Sequence, residues 1–262
     1  MELRDRVAVV TGGAKGIGFA LAQAFLAEGA RAVVVVDLEQ AAVDAAVEQL
    51  GAGASGAALD VSSADALAAL VDEVLDAHGP IDLFVSNAGI GTGAGLEATD
   101  DEWERIWRVN VLAHVHAAQA VLPSMLARGE GYLLSTASAA GLLTQIGDLP
   151  YSVTKHAAVS VAEWLAITYG DRGITVSCLC PQGVNTDMLR AGQAGGTTDT
   201  VAAQGVIETA EVAAAVVAGL ATEQFLILPH PEVATYVQRK AAEPDRWLAG
   251  MRRLQARFAR SR

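Results

Sequence analysis

Tyr151 and Lys155 stand four residues apart in a segment with helical patterning, so both side chains face the same way. A phenol beside an ammonium is a proton-transfer group in outline. Free tyrosine titrates near ~10, and a general base for alcohol oxidation must titrate nearer working pH. A drop of about three units needs roughly 4 kcal/mol. One ammonium about 4 Å away supplies that order of energy at an effective dielectric near 20. Burial pushes a phenol the other way, so Lys155 alone is only just sufficient, and a second positive charge is expected to act with it.

A second constellation lies at the start of the chain. The apolar run Val7–Val10 leads into Thr11-Gly12-Gly13-Ala14-Lys15-Gly16-Ile17-Gly18 and then a helical pattern. Glycines permit a tight turn and close backbone approach to a pyrophosphate. The helix start adds free N–H groups and the positive end of its dipole. Asp37 closes the next apolar run, nineteen residues beyond Gly18. A carboxylate there accepts from adenosine ribose hydroxyls and repels a 2′-phosphate, which favours NAD over NADP. Lys15 is the counterweight, because a cation in the glycine turn can hold that phosphate. Asp60-Val61 places a carboxylate where an adenine amino group would lie, and Ser86-Asn87-Ala88-Gly89 leaves room for a cofactor at a strand's end.

Taken in order, these pieces resemble the short-chain dehydrogenase/reductase family over residues 5–228. The pattern T-G-x-x-x-G-x-G matches at Thr11, Gly12, Gly16 and Gly18, and N-A-G matches at Asn87, Ala88 and Gly89. The resemblance implies a catalytic set of Asn110, Ser138, Tyr151 and Lys155, with thirteen residues from Ser138 to Tyr151. It implies that Lys155 also binds the nicotinamide ribose, Ser138 holds the substrate oxygen and Asn110 supports a proton-relay water. Ser135 and Thr136 are rival hydroxyls, and the Ala139-Ala140-Gly141 that follows favours Ser138. Pro181, Val184 and Thr186 keep the spacing that holds a nicotinamide carboxamide, although Gln182 stands where many members have glycine. The implied cofactor-binding set is Gly12, Lys15, Gly16, Ile17, Gly18, Asp37, Asp60, Val61, Asn87, Ala88, Gly89, Tyr151, Lys155, Pro181, Val184 and Thr186.

The elements that must position these residues alternate. Apolar runs at 7–10, 32–36, 56–59, 83–86, 131–135, 175–179 and 225–228 are separated by helical patterns near 16–28, 39–50, 63–78, 101–128, 151–170 and 208–220. Such alternation implies right-handed βαβ crossovers. The expected fold is α/β, a single Rossmann-like doubly wound domain over residues 1–228 with a seven-stranded parallel sheet between helices. A composition 52% hydrophobic but only 5% aromatic suits strands buried on both faces against Ala-rich helices. Residues 229–262 lack the glycine-rich ending usual in the family. They read as a basic helical extension, with Trp247, Leu248, Met251, Leu254 and Phe258 at helical spacing. That stripe is expected to cover the sheet edge, the substrate cleft or a neighbouring subunit. The small, polar stretch 190–205 reads as a loop and a substrate lid.

The net charge of −12 disfavours nucleic acid and anionic membranes. The charge is uneven: from Pro229 onward there are eight Lys/Arg against three Asp/Glu. Cys178 and Cys180 should share one strand face as free thiols, and the scattered histidines show no metal-site spacing. Trp103 and Trp107, four apart, read as core or interface. With no spanning run and a charged amino terminus, a cytoplasmic protein is expected. The resemblance implies a homodimer or homotetramer, built first through the helices near 101–128 and 151–170. The expected activity is hydride exchange between NAD(H) and a small secondary alcohol or ketone. Two alternatives stand beside it: an NADPH-dependent carbonyl reductase using Lys15, and a dinucleotide sensor without turnover.

Overall fold

The valine-rich β1 (Val7–Thr11) and β2 (Ala32–Asp37) are buried along almost their whole length, as strands covered on both faces must be. The computed structural model describes residues 1–194 and 205–259. With β3 (Ala54–Ala58), β4 (Leu83–Ser86), β5 (Gly131–Thr136), β6 (Ile174–Leu179) and β7 (Leu226–Ile227), they form one parallel sheet. Its order is β3-β2-β1-β4-β5-β6-β7. After β3 the chain crosses to the far side of β1, so β1 and β4 are neighbours with crossovers leaving in opposite directions. That topological switch opens a crevice at their carboxyl ends.

Alternation along the strands divides the core. Val7, Val9, Val34 and Phe84 face α3 (Ala64–His78), α5 (Ala113–Arg128) and α7 (Leu149–Tyr169). Ala8, Val10, Val33 and Leu83 face α1 (Gly16–Ala27) and α9 (Thr209–Ala221), which pack against one another. The remaining helices are α2 (Gln40–Leu50), α4 (Asp100–Trp107), α6 (Ala140–Leu143), α8 (Asp187–Ala194), α10 (Glu232–Ala242) and α11 (Pro244–Ala259). Cys178 and Cys180 are free and buried in the same core, with Sγ atoms 3.8 Å apart.

Three expectations change. The long helix read over 101–128 is α4 and α5 joined by a π-helical turn, Arg108–Leu112, in which Asn110 sits fully buried. The third strand begins two residues earlier than its apolar run suggested, because this edge strand, Ala-Ser-Gly-Ala-Ala, carries little apolar contrast. The stretch read as a loop from Arg190 is helical through Ala194, the last described residue before the gap; apart from Gly205, the rest of the expected lid falls on 195–204, outside the described residues. Trp103 is half-buried and Trp107 is 40% exposed, while Ile106 between them fills the core.

After β7, α10 packs on α6, and α11 packs on α10 with Tyr236 and Trp247 in ring contact at 6.2 Å. Trp247, Met251 and Leu254 are half-buried along that seam, Leu248 is exposed, and the side chain of Phe258 lies outside those described. The extension therefore approaches the cleft side of the sheet through α6.

Candidate active site

A cavity of about 1050 Å³ opens along the carboxyl ends of β1, β2, β4, β5 and β6. One end is lined by Gly12, Lys15, Gly16, Ile17, Asp37, Asp60 and Val61, and the middle by Asn87, Ala88 and Gly89. The other end is lined by Ser138, Tyr151, Lys155, Pro181, Val184 and Thr186. Gly18 and Asn110 are the two residues read from the sequence that stand behind the wall rather than on it.

The glycine turn follows from backbone geometry. Gly12 and Gly16 have φ of +61° and +55°, values that side chains rarely tolerate. A Cβ on Gly18 would lie 2.1 Å from the Gly12 carbonyl oxygen, so the glycine lets α1 press against the turn. Lys15 occupies the cap position of α1, yet no side chain caps the helix and no acid lies in its first turn. Its leading amides open on the cavity without a competing anion, the arrangement that receives phosphate.

Asp37 is fixed by its own backbone surroundings. Oδ2 accepts from the Ala14 amide at 3.1 Å and Oδ1 from the Leu38 amide at 2.9 Å. Asp60 is exposed and closes a turn by accepting from the Ser62 amide at 2.9 Å, while Val61 is buried beside it. Asn87 binds backbone: Nδ2 donates to the carbonyls of Thr11 at 3.0 Å and Gly12 at 3.2 Å. It thereby ties β4 to the glycine turn.

At the opposite end, α7 presents Tyr151 and Lys155 on one face. Lys155 Nζ lies 5.7 Å from the Tyr151 ring centroid and donates to the Thr136 carbonyl at 2.9 Å. Burial lowers the Lys155 ammonium to about 8. Burial also pushes the Tyr151 phenol above its ordinary range; a hydrogen bond with Ser138 pulls it back and the charge of Asp148 adds to the rise. Ser138 Oγ further accepts from the Ala140 amide at 3.1 Å. Burial and the Asp148 charge both favour the protonated phenol.

Asn110 does something the sequence did not disclose. Its Oδ1 accepts the Ile90 amide at 2.9 Å, and Nδ2 donates to the Ile90 carbonyl at 2.9 Å and to Thr154 Oγ1 at 3.1 Å. Both amide hydrogens are thus spent on structure. A Cβ on Gly89 would meet Lys155 Nζ at 3.2 Å and Asn110 Oδ1 at 3.3 Å, so the glycine leaves a polar gap between the two groups.

Sequence reasoning missed Asp148, Thr92, Gly93 and Gln145, all on the cavity wall near Tyr151. Asp148 is 5% exposed and caps α7. An aspartate followed by Leu-Pro just ahead of a helical pattern carried that cap signal. Among the described residues no group of three or more His, Cys, Asp or Glu is arranged to hold a metal, and no helix is long and apolar enough to cross a membrane.

A family model described as short chain dehydrogenase matches residues 6–195. An uncharacterized oxidoreductase of Bacillus subtilis is 36% identical over 209 residues, covering 76% of this chain and 79% of the relative. A 1-deoxy-11-beta-hydroxypentalenate dehydrogenase of Streptomyces avermitilis is 33% identical, covering 90% of this chain and 88% of the relative. Among solved structures, a short-chain dehydrogenase/reductase from Burkholderia phymatum in complex with NAD matches with a TM-score of 0.87 at 29% identity. That match covers 94% of this chain and 96% of the other.

Proposed function

The chain belongs to the short-chain dehydrogenase family, and on that premise we propose that it exchanges hydride between NAD(H) and a small secondary alcohol or ketone, with Tyr151 as general acid and base. The observation that carries the reading is the meeting of Tyr151, Ser138 and Lys155 on the wall of one cavity that runs on past the uncapped start of α1 to Asp37.

The residues present fit a nicotinamide dinucleotide. The free amides at the start of α1 bind its pyrophosphate, and the positive-φ glycines bring the backbone within reach. Asp37, pinned by Ala14 and Leu38, accepts from the adenosine ribose; Val61 and Asp60 border the adenine. Ala88 and Gly89 leave space along the middle of the cleft, and Pro181, Val184 and Thr186 hold the carboxamide end. When bound, the dinucleotide supplies or accepts the hydride.

The chain's own groups handle the proton. Ser138 holds the substrate oxygen beside the Tyr151 phenol. In ketone reduction the buried, protonated phenol donates its hydrogen to that oxygen. Alcohol oxidation runs the transfer backwards and needs the phenol brought down, a direction in which the Ser138 hydrogen bond and the Lys155 charge both act. Lys155 has one hydrogen on Thr136 and directs others to the nicotinamide ribose.

A second reading, NADPH-dependent carbonyl reduction, draws on Lys15, which lines the cavity next to the glycine turn. Comparing kcat/KM with NADH and NADPH separates the two. The function itself is tested by titrating NADH into the protein and following nicotinamide absorbance across a panel of alcohols and ketones. Binding with turnover of at least one neutral substrate is expected; absence of dinucleotide binding overturns the reading. A homodimer belongs to the same proposal and is supported by Trp107, Val153, Trp164 and Ile167, exposed apolar residues of α4 and α7.

A further inference from the structure

The turn that follows β6 is held from several directions, and one of its holders comes from the carboxyl-terminal extension. The Pro181 carbonyl accepts the Ala139 amide at 2.8 Å and the Ser138 hydroxyl at 3.4 Å. Next in the chain, the Gln182 amide donates to His230 Nδ1 at 3.2 Å. His230 Nε2 bonds the Gly183 carbonyl at 3.0 Å, an oxygen that also accepts the Ile207 amide at 3.0 Å. These partners define the ring's state. A backbone amide can only donate, so Nδ1 is the bare acceptor; a carbonyl can only accept, so Nε2 carries the hydrogen.

His230 is 3% exposed and stands between Pro229 and Pro231, whose rings restrict the backbone on either side of it. Two hydrogen bonds from one rigid ring, to the Pro181–Gln182 and Gly183–Val184 peptide units, fix both the position and the tilt of the turn they bracket. The helix that follows, α10, makes a second attachment: Lys240 Nζ donates to the Leu142 carbonyl of α6 at 2.7 Å. Because α6 starts two residues after Ser138, the extension grips backbone beside Ser138 as well as the turn after β6.

We infer that His230 is a positioning residue, through which the carboxyl-terminal extension sets where the Pro181–Thr186 turn stands over the cleft. The inference rests on the dinucleotide reading above, since that turn is assigned to the carboxamide end of the cofactor. Gln182 lines the cavity, so the same clamp also sets the origin of its side chain on the substrate side. A displacement of even about 1 Å in such a turn is enough to weaken a geometry-dependent contact severely.

The test measures NADH affinity by fluorescence, beside thermal unfolding, for the unaltered protein and for His230→Ala, His230→Asn and His230→Gln. Loss of both hydrogen bonds in His230→Ala is expected to raise the NADH dissociation constant about fivefold or more. His230→Asn keeps an acceptor and His230→Gln keeps a donor, so both are expected between the two extremes. A purely structural histidine would lower the melting temperature and leave the affinity of the folded protein alone. A folded His230→Ala with affinity within about twofold of the unaltered protein therefore overturns the inference. If His230→Ala does not fold, the other two variants decide, and unchanged affinity in both overturns it equally. If none of the three folds, His230 serves the fold rather than the turn and the inference is lost. Unaltered protein that binds neither NADH nor NADPH removes the dinucleotide reading and this inference together, an outcome distinct from intact binding shared by all variants.

Discussion

Asp148 holds Tyr151 by its backbone: Oδ1 accepts the Tyr151 amide at 3.0 Å and so caps the helix that carries the phenol. The same oxygen accepts Thr92 Oγ1 at 2.8 Å, while Oδ2 accepts the amides of Thr92 at 2.9 Å and Gly93 at 2.7 Å. The Leu149 amide adds a bond to the Ala94 carbonyl at 2.9 Å. One buried carboxylate thus joins the segment after β4, a wall of the cavity, to the start of α7. Replacing Asp148 by Ala leaves four donors without their acceptor and is expected to cost about 2–4 kcal/mol of stability. Turnover should fall by about tenfold or more because the wall and the phenol lose their common anchor, with NADH affinity little changed. Urea unfolding and steady-state kinetics on the same preparation check both halves; unchanged kinetics would remove Asp148 from the positioning machinery.

Tyr151→Phe removes the proton and keeps the ring. We expect NADH binding to persist and turnover to drop by a factor on the order of 10² or more. Unchanged turnover sinks the assignment of the phenol as acid and base.

How far these residues could be read in advance depends on the range over which each acts. Tyr151, Lys155, Asp37 and the glycine turn were legible because their chemistry demands particular residue types at short spacings beside predictable elements. Asn110 was legible as a position but not as a set of bonds, since Ile90 and Thr154 reach it from distant segments. The role of Asp148 depends on where residues 92–93 arrive, and that of His230 on a turn 48 positions earlier. The π-turn at Asn110 left the helical spacing on either side intact, so periodicity ran through it. Helix α8 was concealed by its Ala, Gly and polar composition, which reads as loop.

Asp37 offers a test of cofactor choice. Its carboxylate stands half-buried on the cavity wall with no Lys or Arg within ion-pair distance among the described residues, so under the proposed NAD reading it would repel a 2′-phosphate placed there. Asp37→Ser should lower kcat/KM for NAD and raise it for NADP, shifting their ratio by about tenfold or more, with Lys15 now free to attract the phosphate. A ratio unmoved by the substitution would mean that Asp37 does not read the ribose.

His114 supplies a prediction about stability rather than turnover. It is 2% exposed and neither ring nitrogen has a hydrogen-bond partner among the described residues. Burial, with the Lys155 charge adding to it, lowers the imidazole to about 3. Between that value and its ordinary 6.5 the unfolded chain binds the proton that the folded chain refuses. Stability attributable to this group is therefore complete above pH 6.5 and lost as pH falls toward 3, at roughly 1.4 kcal/mol per pH unit. Urea unfolding at pH 7 and pH 5 should show a loss that shrinks by about 2 kcal/mol in His114→Leu, which keeps much of the volume and cannot ionise. An equal loss in both proteins would mean that water or a shifted side chain relieves the burial.

Gly18 tests whether the approach of α1 to the glycine turn matters as closely as the geometry indicates. Its φ is ordinary, so alanine meets no backbone penalty there; the obstacle is space alone. The added methyl would sit 2.1 Å from the Gly12 carbonyl oxygen, which is backbone, and 2.7 Å from Asn87 Nδ2, a side-chain end held by its bonds to Thr11 and Gly12. To relieve the overlap, α1 must back away from the turn, which carries its leading amides off the pyrophosphate position and strains the Asn87 bonds to Thr11 and Gly12. Gly18→Ala is thus expected to weaken NADH binding by about tenfold or more and to destabilise the fold by about 1–3 kcal/mol. Gly51→Ala is the control at a glycine with nothing within 4 Å of the added carbon: its φ of +75° brings strain but no collision, so stability falls while affinity holds. If Gly18→Ala binds NADH as the unaltered protein does, the pyrophosphate does not rest on the start of α1.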